Sequence, residues 1–281
     1  VILSSEDNPI NQIKQSLEIL YKIEETFMKR EEINLDFSEV EWILPCSAIL
    51  ISSKIIDIQK QGAKINYIES KKRKVKEYLS DIGFPLGKKT DGNTYVSIKH
   101  FANNPEDRNQ VNKETNDVLQ KIENKIPNTF GDSVRHIFGE LADNIGEHSN
   151  FTFASLMAQY YPHKEYLDIA VFDNGITIPF NFEKNNINFE KDSDAILEAL
   201  SGKITTKKNE KMRAYGLKSC KDISLKEIKE ELHIVSRKGI IILKEGKEPE
   251  FYDFEDVCLK GTFLYFRLPT PENKVDIYPY L

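Results

Sequence analysis

The stretch Gly139-Glu140-Leu141-Ala142-Asp143-Asn144-Ile145-Gly146-Glu147-His148-Ser149 places Glu140, Asn144 and His148 at every fourth position. At 3.6 residues per turn each is displaced about 40° from the last, so the three share one stripe of one helix. That stripe borders the apolar face formed by Val134, Ile137, Phe138, Leu141 and Ile145. A fully solvated stripe would lie opposite that face, so this position suits a pocket wall. A carboxylate and an amide held there could orient a water and a hydrated Mg²⁺, which needs only one or two protein ligands beside substrate phosphates. For the helix alone, an amphipathic helix with a polar margin reads equally well.

Downstream, Phe153 to Tyr160 and Tyr166 to Phe172 read as strands, the second running directly into Asp173-Asn174-Gly175-Ile176-Thr177. Functional groups concentrate at such strand ends. A polar segment from Asn181 to Ser193 and a short helix through Leu200 follow, and then a basic loop carrying Lys203, Lys207, Lys208, Lys211 and Arg213. Gly216-Leu217 opens a helix expected to last to about Leu232, and strands are expected to begin near His233, Ile240 and Thr262.

Upstream, the spacing predicts an amphipathic helix from Ile10 to Phe27, a strand over Ile33–Phe37, a helix over Ala48–Ile58, a strand over Ala63–Ile68 and a helix over Lys74–Ile82. Strand, helix, strand, helix implies a small α/β unit with parallel pairing. The basic run Lys71-Lys72-Arg73-Lys74 with Lys76 reads as a solvated face that could also meet an acidic partner. Gly87, Gly92 and Pro105 punctuate an Asn- and Asp-rich stretch interrupted by the strand-like Tyr95–Ile98, and a helix from Glu114 to Lys125 follows. The expected division is a first domain over residues 1–90, a linker with a short strand over 91–112, a second domain over 113–270 and a tail over 271–281.

The chain's 281 residues suffice for two ordinary domains. No apolar run approaches the length that spans a bilayer, and no secretory pattern is seen at the start. Cys46, Cys220 and Cys258 are odd in number and far apart, which fits a reducing cytoplasm better than a disulfide framework or a zinc site. A net charge of -6 argues against phosphate-backbone binding as the main activity.

The segment from Glu32 to Leu86 resembles the STAS domain, a small partner-binding α/β fold. Where antagonists of that family carry an Asp-Ser-Ser-Gly-like phosphorylation site, this chain has Leu44-Pro45-Cys46-Ser47-Ala48, so Ser47 is a weak phosphoacceptor candidate and reads first as a helix N-terminal residue. From Lys113 to Pro269, four pieces in order resemble the N, G1, G2 and G3 boxes of the GHKL ATP-binding superfamily. They are the Glu140/Asn144 helix, Asp173-Asn174-Gly175, Gly216-Leu217, and Lys260-Gly261-Thr262. The nearest likeness is to the anti-sigma serine kinases. The resemblance implies an α/β sandwich with helices on one face of a mixed sheet, binding ATP and Mg²⁺. It implies Glu140 as general base, Asn144 as Mg²⁺ ligand, His148 near the phosphates, and Asp173, Gly175, Thr177 and Thr262 around adenine. Gly216 and Leu217 would meet the triphosphate at a helix start, and Arg213 with the loop lysines would form a lid. Thr177 and Ala214 replace glycines of the G1 and G2 boxes, which implies a stiffer lid and slow turnover.

The expected function is a regulatory protein whose Mg-ATP-driven lid closure switches a protein interaction. A protein serine kinase acting on a STAS-like partner, and an idle nucleotide sensor, stay open as alternatives. The expected partner is a protein, with a homodimer admitted and neither membrane nor nucleic acid as main ligand.

Overall fold

The computed structural model describes residues 8–88, 90–104, 106–107, 109–148, 150–202, 216–228 and 231–280, without the side chains of Glu147, His148 and Ser224. Helix α1 (Pro9–Met28) starts where Asn8 accepts a hydrogen bond from the Asn11 amide at 3.4 Å and Pro9 occupies the first turn. Strand β1 (Ile33–Asp36), helix α2 (Pro45–Lys60), strand β2 (Ile65–Ile68) and helix α3 (Arg73–Asp81) follow in the expected order. β1 and β2 pair in parallel as a two-stranded sheet.

α1 and α2 lie side by side. Gln12, fully buried on α1, accepts from the Leu44 amide at 2.9 Å and the Ser47 hydroxyl at 3.0 Å, and Ser47 also meets Ser16 at 2.8 Å. Ser47 is thus a buried first-turn residue of α2. The basic run is paired on the surface, Lys71 with Glu39, Lys72 with Glu41, Arg73 with Glu77 and Lys76 with Glu69.

The larger sheet has seven strands in the order β3-β4-β5-β9-β6-β7-β8. They are β3 (Tyr95–Ala102), β4 (Phe153–Tyr161), β5 (Tyr166–Asp173), β6 (Glu231–Arg237), β7 (Gly239–Lys244), β8 (Glu250–Asp253) and β9 (Leu259–Pro269). The expected mixed sheet is corrected, because every pairing in it is antiparallel. β5 and β6 run parallel to each other, as a strand–helix–strand connection requires, but β9 inserts between them and opposes both. The strand expected in the linker is β3, an edge of this sheet, and β8 at the other edge had no counterpart in the sequence reading.

Helices α4 (Gln110–Glu123), α5 (Ser133–Asp143), α7 (Asp192–Ser201) and α8 (Gly216–Ile223) share a core with one sheet face. The short α6 (Ile178–Lys184) lies within the stretch read as turn and polar segment. The expectation of helices on one face only is also corrected. α1 and α2 pack on the second face, where Ile13, Leu17, Leu50 and Ile51 share a core with Phe153, Ala170, Phe172, Phe263 and Tyr265. The physical reason lies in the alternation of β4, β5 and β9, which are apolar on both faces and cannot leave either in water. None of the described helices is long and apolar enough to cross a membrane.

Two polar devices hold the second face. Asp168, fully buried on β5, accepts both hydrogen bonds of a fork from Arg267 on β9 at 2.9 Å. His100 on β3 joins the sheet to the α1–α3 unit. Its Nε2 donates to the Pro85 carbonyl at 2.9 Å, which leaves Nδ1 to accept from Ser155 at 2.7 Å, and Ser155 accepts from Ser53 of α2 at 2.8 Å. Burial pushes the His100 imidazole down to about 4, and nearby Lys60 adds to the shift.

Arg267→Met is expected to cost about 3–5 kcal/mol in urea denaturation, because Asp168 would remain buried and charged, while Asp168→Leu combined with Arg267→Met recovers most of that loss. Because the folded imidazole titrates below its unfolded value, the His100 contribution is complete above about pH 6.5 and is lost as pH falls toward about 4. Denaturation midpoints measured across that window should drop less in His100→Asn than in the native chain.

Candidate functional site

Adjacent strands align three polar residues at one end of the sheet. Asp173 of β5 stands opposite Thr262 of β9, and Thr262 stands opposite Ser236 of β6. Side chains alternate between faces along a strand. Leu167, Ile169 and Val171 of β5, Leu264 and Phe266 of β9, and Leu232 and Ile234 of β6 all enter the core beneath α4, α5, α7 and α8. Asp173, Thr262 and Ser236 share their parity and therefore face the same helices. The Ser236 hydroxyl lies 3.1 Å from that of Thr262 and accepts from the Ile178 amide at 2.9 Å, linking the row to the start of α6.

Asp173 is 6% exposed, and its Oδ1 accepts from the Gly175 amide at 2.9 Å. Gly175 thereby closes the turn that leaves β5. Asn174 binds back to the start of β4, accepting from the Thr152 and Phe153 amides at 2.9 Å. Thr177 is the N-cap of α6, its hydroxyl accepting from the Phe180 amide at 3.2 Å. Gly261 has φ of +118°, and a Cβ there would meet the Asp173 carbonyl oxygen at 1.9 Å. Only glycine lets β9 lie so close to the end of β5.

On α5, Val134, Ile137, Phe138 and Leu141 are buried as expected, with Ile145 in the next turn. Glu140 is a quarter exposed at the margin, with His136 Nε2 at 3.9 Å. His136 also meets the Ser219 hydroxyl of α8 at 2.8 Å, and burial lowers the pKa of its imidazole. The Asn144 Nδ2 atom is buried without a hydrogen-bond partner among the described residues. From Asn144 to His148 the helix changes to one π-helical turn. The α-helical stripe therefore holds for Glu140 and Asn144 and is broken before His148, whose side chain lies outside the described residues, as do Arg213 and the loop lysines. Gly216 begins α8, and Leu217 packs against the core.

The site as a whole brings Asp173, Gly175, Thr177 and Thr262 to one sheet end, with Glu140 and Asn144 on a helix over the same face. Ser236, His136 and Gly261 complete the arrangement and were not singled out from sequence for these parts. His136 stands one turn before Glu140 on the same stripe, which was a usable signal. A cavity of about 320 Å³ adjoins the same turn from the other face, lined among others by Asn174, Phe172, Lys54, Glu24 and Lys260. There Lys54 pairs with Glu24, and burial lowers its ammonium pKa to about 8. No protein-family model matches the chain, and no curated protein matches it significantly.

Gly261→Ala is expected to lower stability by about 1–3 kcal/mol, because the methyl group must push β9 off the β5 terminus. Thr177→Ala should cost only about 1 kcal/mol, through loss of one cap. Equilibrium denaturation of the two variants side by side tests this ordering.

Proposed function

We propose that this chain binds Mg-ATP between the end of β5 and helices α5 and α8, hydrolyses it slowly, and uses the bound state to switch contact with a protein partner. The observation that carries the reading is the in-register row of Asp173, Thr262 and Ser236, on the sheet face whose core is shared with the helix bearing Glu140 and Asn144. A buried carboxylate at a strand end suits the adenine amino group, and the neighbouring Thr262 hydroxyl suits a ring nitrogen or a bridging water. Gly261 and Gly175 supply backbone close to that edge.

The triphosphate would extend toward α8, whose first-turn amides would favour an anion, with Gly216 and Leu217 at its start. Mg²⁺, when bound, would offset phosphate charge, held by Asn144 and the phosphates themselves. The buried Asn144 nitrogen, without a hydrogen-bond partner among the described residues, supports this fit, since a buried donor left in that state calls for a polar group such as a phosphate oxygen. Glu140 would take a proton from water, the water oxygen would form a bond to the γ-phosphorus, and the bond to the bridging oxygen would break to leave ADP and phosphate. His136, kept neutral by burial and tied to Ser219, would hold Glu140 and α8 in a fixed relation.

Calorimetry is expected to show Mg-dependent ATP binding that Asp173→Asn abolishes. Unchanged affinity in that variant would reject the site. Glu140→Ala should keep binding and lower phosphate release at least tenfold. Incubation with labelled ATP and candidate partners separates the alternatives: label on a protein serine identifies a kinase, and binding with neither label nor free phosphate identifies a sensor.

A further inference from the structure

β1 pairs with β2 along one edge, and among the described residues no backbone hydrogen bond joins its other edge. An edge strand of this kind presents unpaired N–H and C=O groups. Along it runs a groove of about 360 Å³, walled by the six successive residues Glu32 to Phe37 on one side and by Ile19, Lys22, Ile23 and Thr26 of α1 on the other. Ile51 of α2 also lines it. The groove therefore has a hydrogen-bonding wall and an apolar floor.

β1 alternates strictly. Ile33 and Leu35 are buried, whereas Glu32, Asn34 and Asp36 are exposed. A strand laid along β1 would set one row of side chains over Ile19 and Ile23 and the other row beside Glu32 and Asp36. We propose that this groove takes an extended segment of a partner protein as a third strand, with apolar residues alternating with lysine or arginine. Main-chain hydrogen bonds would supply affinity and the alternate pockets specificity.

Charge separates this occupant from a second copy of the chain. Antiparallel pairing of β1 with its own copy would set Glu32, Asn34 and Asp36 against the same three residues, and like charges directly opposite are destabilising. A basic segment meets the same acids favourably. Among the described lining residues Lys22 is the one cation, and it is exposed on the α1 side of the groove, opposite β1. The groove involves none of Glu140, Asn144, Asp173 or Thr262, so the inference stands apart from nucleotide binding.

The test uses the full chain without nucleotide and the acetylated, amidated hexapeptide of three Lys-Val repeats. Hydrogen exchange at the amides of Ile33 to Asp36 is expected to slow when the peptide is added, and the peptide of three Glu-Val repeats should bind at least tenfold more weakly. Glu32→Lys combined with Asp36→Lys should reverse that preference. Backbone N-methylation of the Lys-Val peptide should abolish the protection. Ile19→Lys, on a partly exposed floor position, should weaken binding while circular dichroism stays native. Binding without protection of β1, or no binding, would overturn the proposal. Protection that grows with protein concentration alone would assign the edge to a second copy, and loss of protection on deleting residues 1–7 would assign it to the chain's own start.

Discussion

At Gly261 the backbone of β9 approaches the end of β5 so closely that a methyl group would lie 1.9 Å from the Asp173 carbonyl oxygen. That approach is what permits β9 to occupy the gap between β5 and β6. β5 and β6 are the two strands that the α6–α8 connection would otherwise bring together in parallel. With β9 between them the sheet becomes antiparallel throughout, and three strands rather than two contribute to one polar row. Asp173, Thr262 and Ser236 owe their alignment to this insertion, and Ile178 reaches the row through Ser236.

Parity along β5 then separates two chemistries that share a residue type. Asp168 and Asp173 are five positions apart and so point to opposite faces. On the α1/α2 face Asp168 is neutralised by a forked pair with Arg267, and its role is to hold β5 to β9 in a closed core. Asp173 is on the other face, at the strand end, where its Oδ1 accepts from the Gly175 amide. The same residue type therefore braces a closed core on one face and a turn at the strand end on the other. Neither assignment depends on composition; both follow from an odd or even offset.

The sequence made the local order legible. The helix of Glu140, the two strands that lead up to Asp173, and the β1-α2-β2-α3 unit each follow from a period of 3.6 or 2 within one window. What stayed hidden depends on distant pairing or on hydrogen-bond rearrangement. Nothing local in Leu259–Pro269 says that it separates β5 from β6, and Glu250–Asp253 is an exposed four-residue edge with little apolar signal. Tyr95–Ile98 was read as strand-like but its partner, β4, lies beyond two helices. β4 and β5 are buried throughout, but Ser155, Gln159 and Asp168 interrupt their apolar runs, and the covering of both sheet faces follows only from the packing of distant helices. The π-helical turn after Asp143 carries no composition signature, and it is what separates His148 from the stripe of Glu140 and Asn144.

Thr177 shows how one hydroxyl can fix the start of a helix beside the polar row. In the fold it caps α6, while the next residue's amide is held by Ser236 of the polar row. The turn after Asp173 is thus fixed at three points: by Gly175 to the carboxylate, by Asn174 to the start of β4, and by Ile178 to β6. A recognition edge anchored in this way does not need to form on binding, so ordering it exacts little entropy from a ligand. Under the proposed function, the conformational change would then belong to α8, and His136, in contact with both Ser219 of that helix and Glu140 of α5, would carry it to the phosphate end while the anchored turn stays in place.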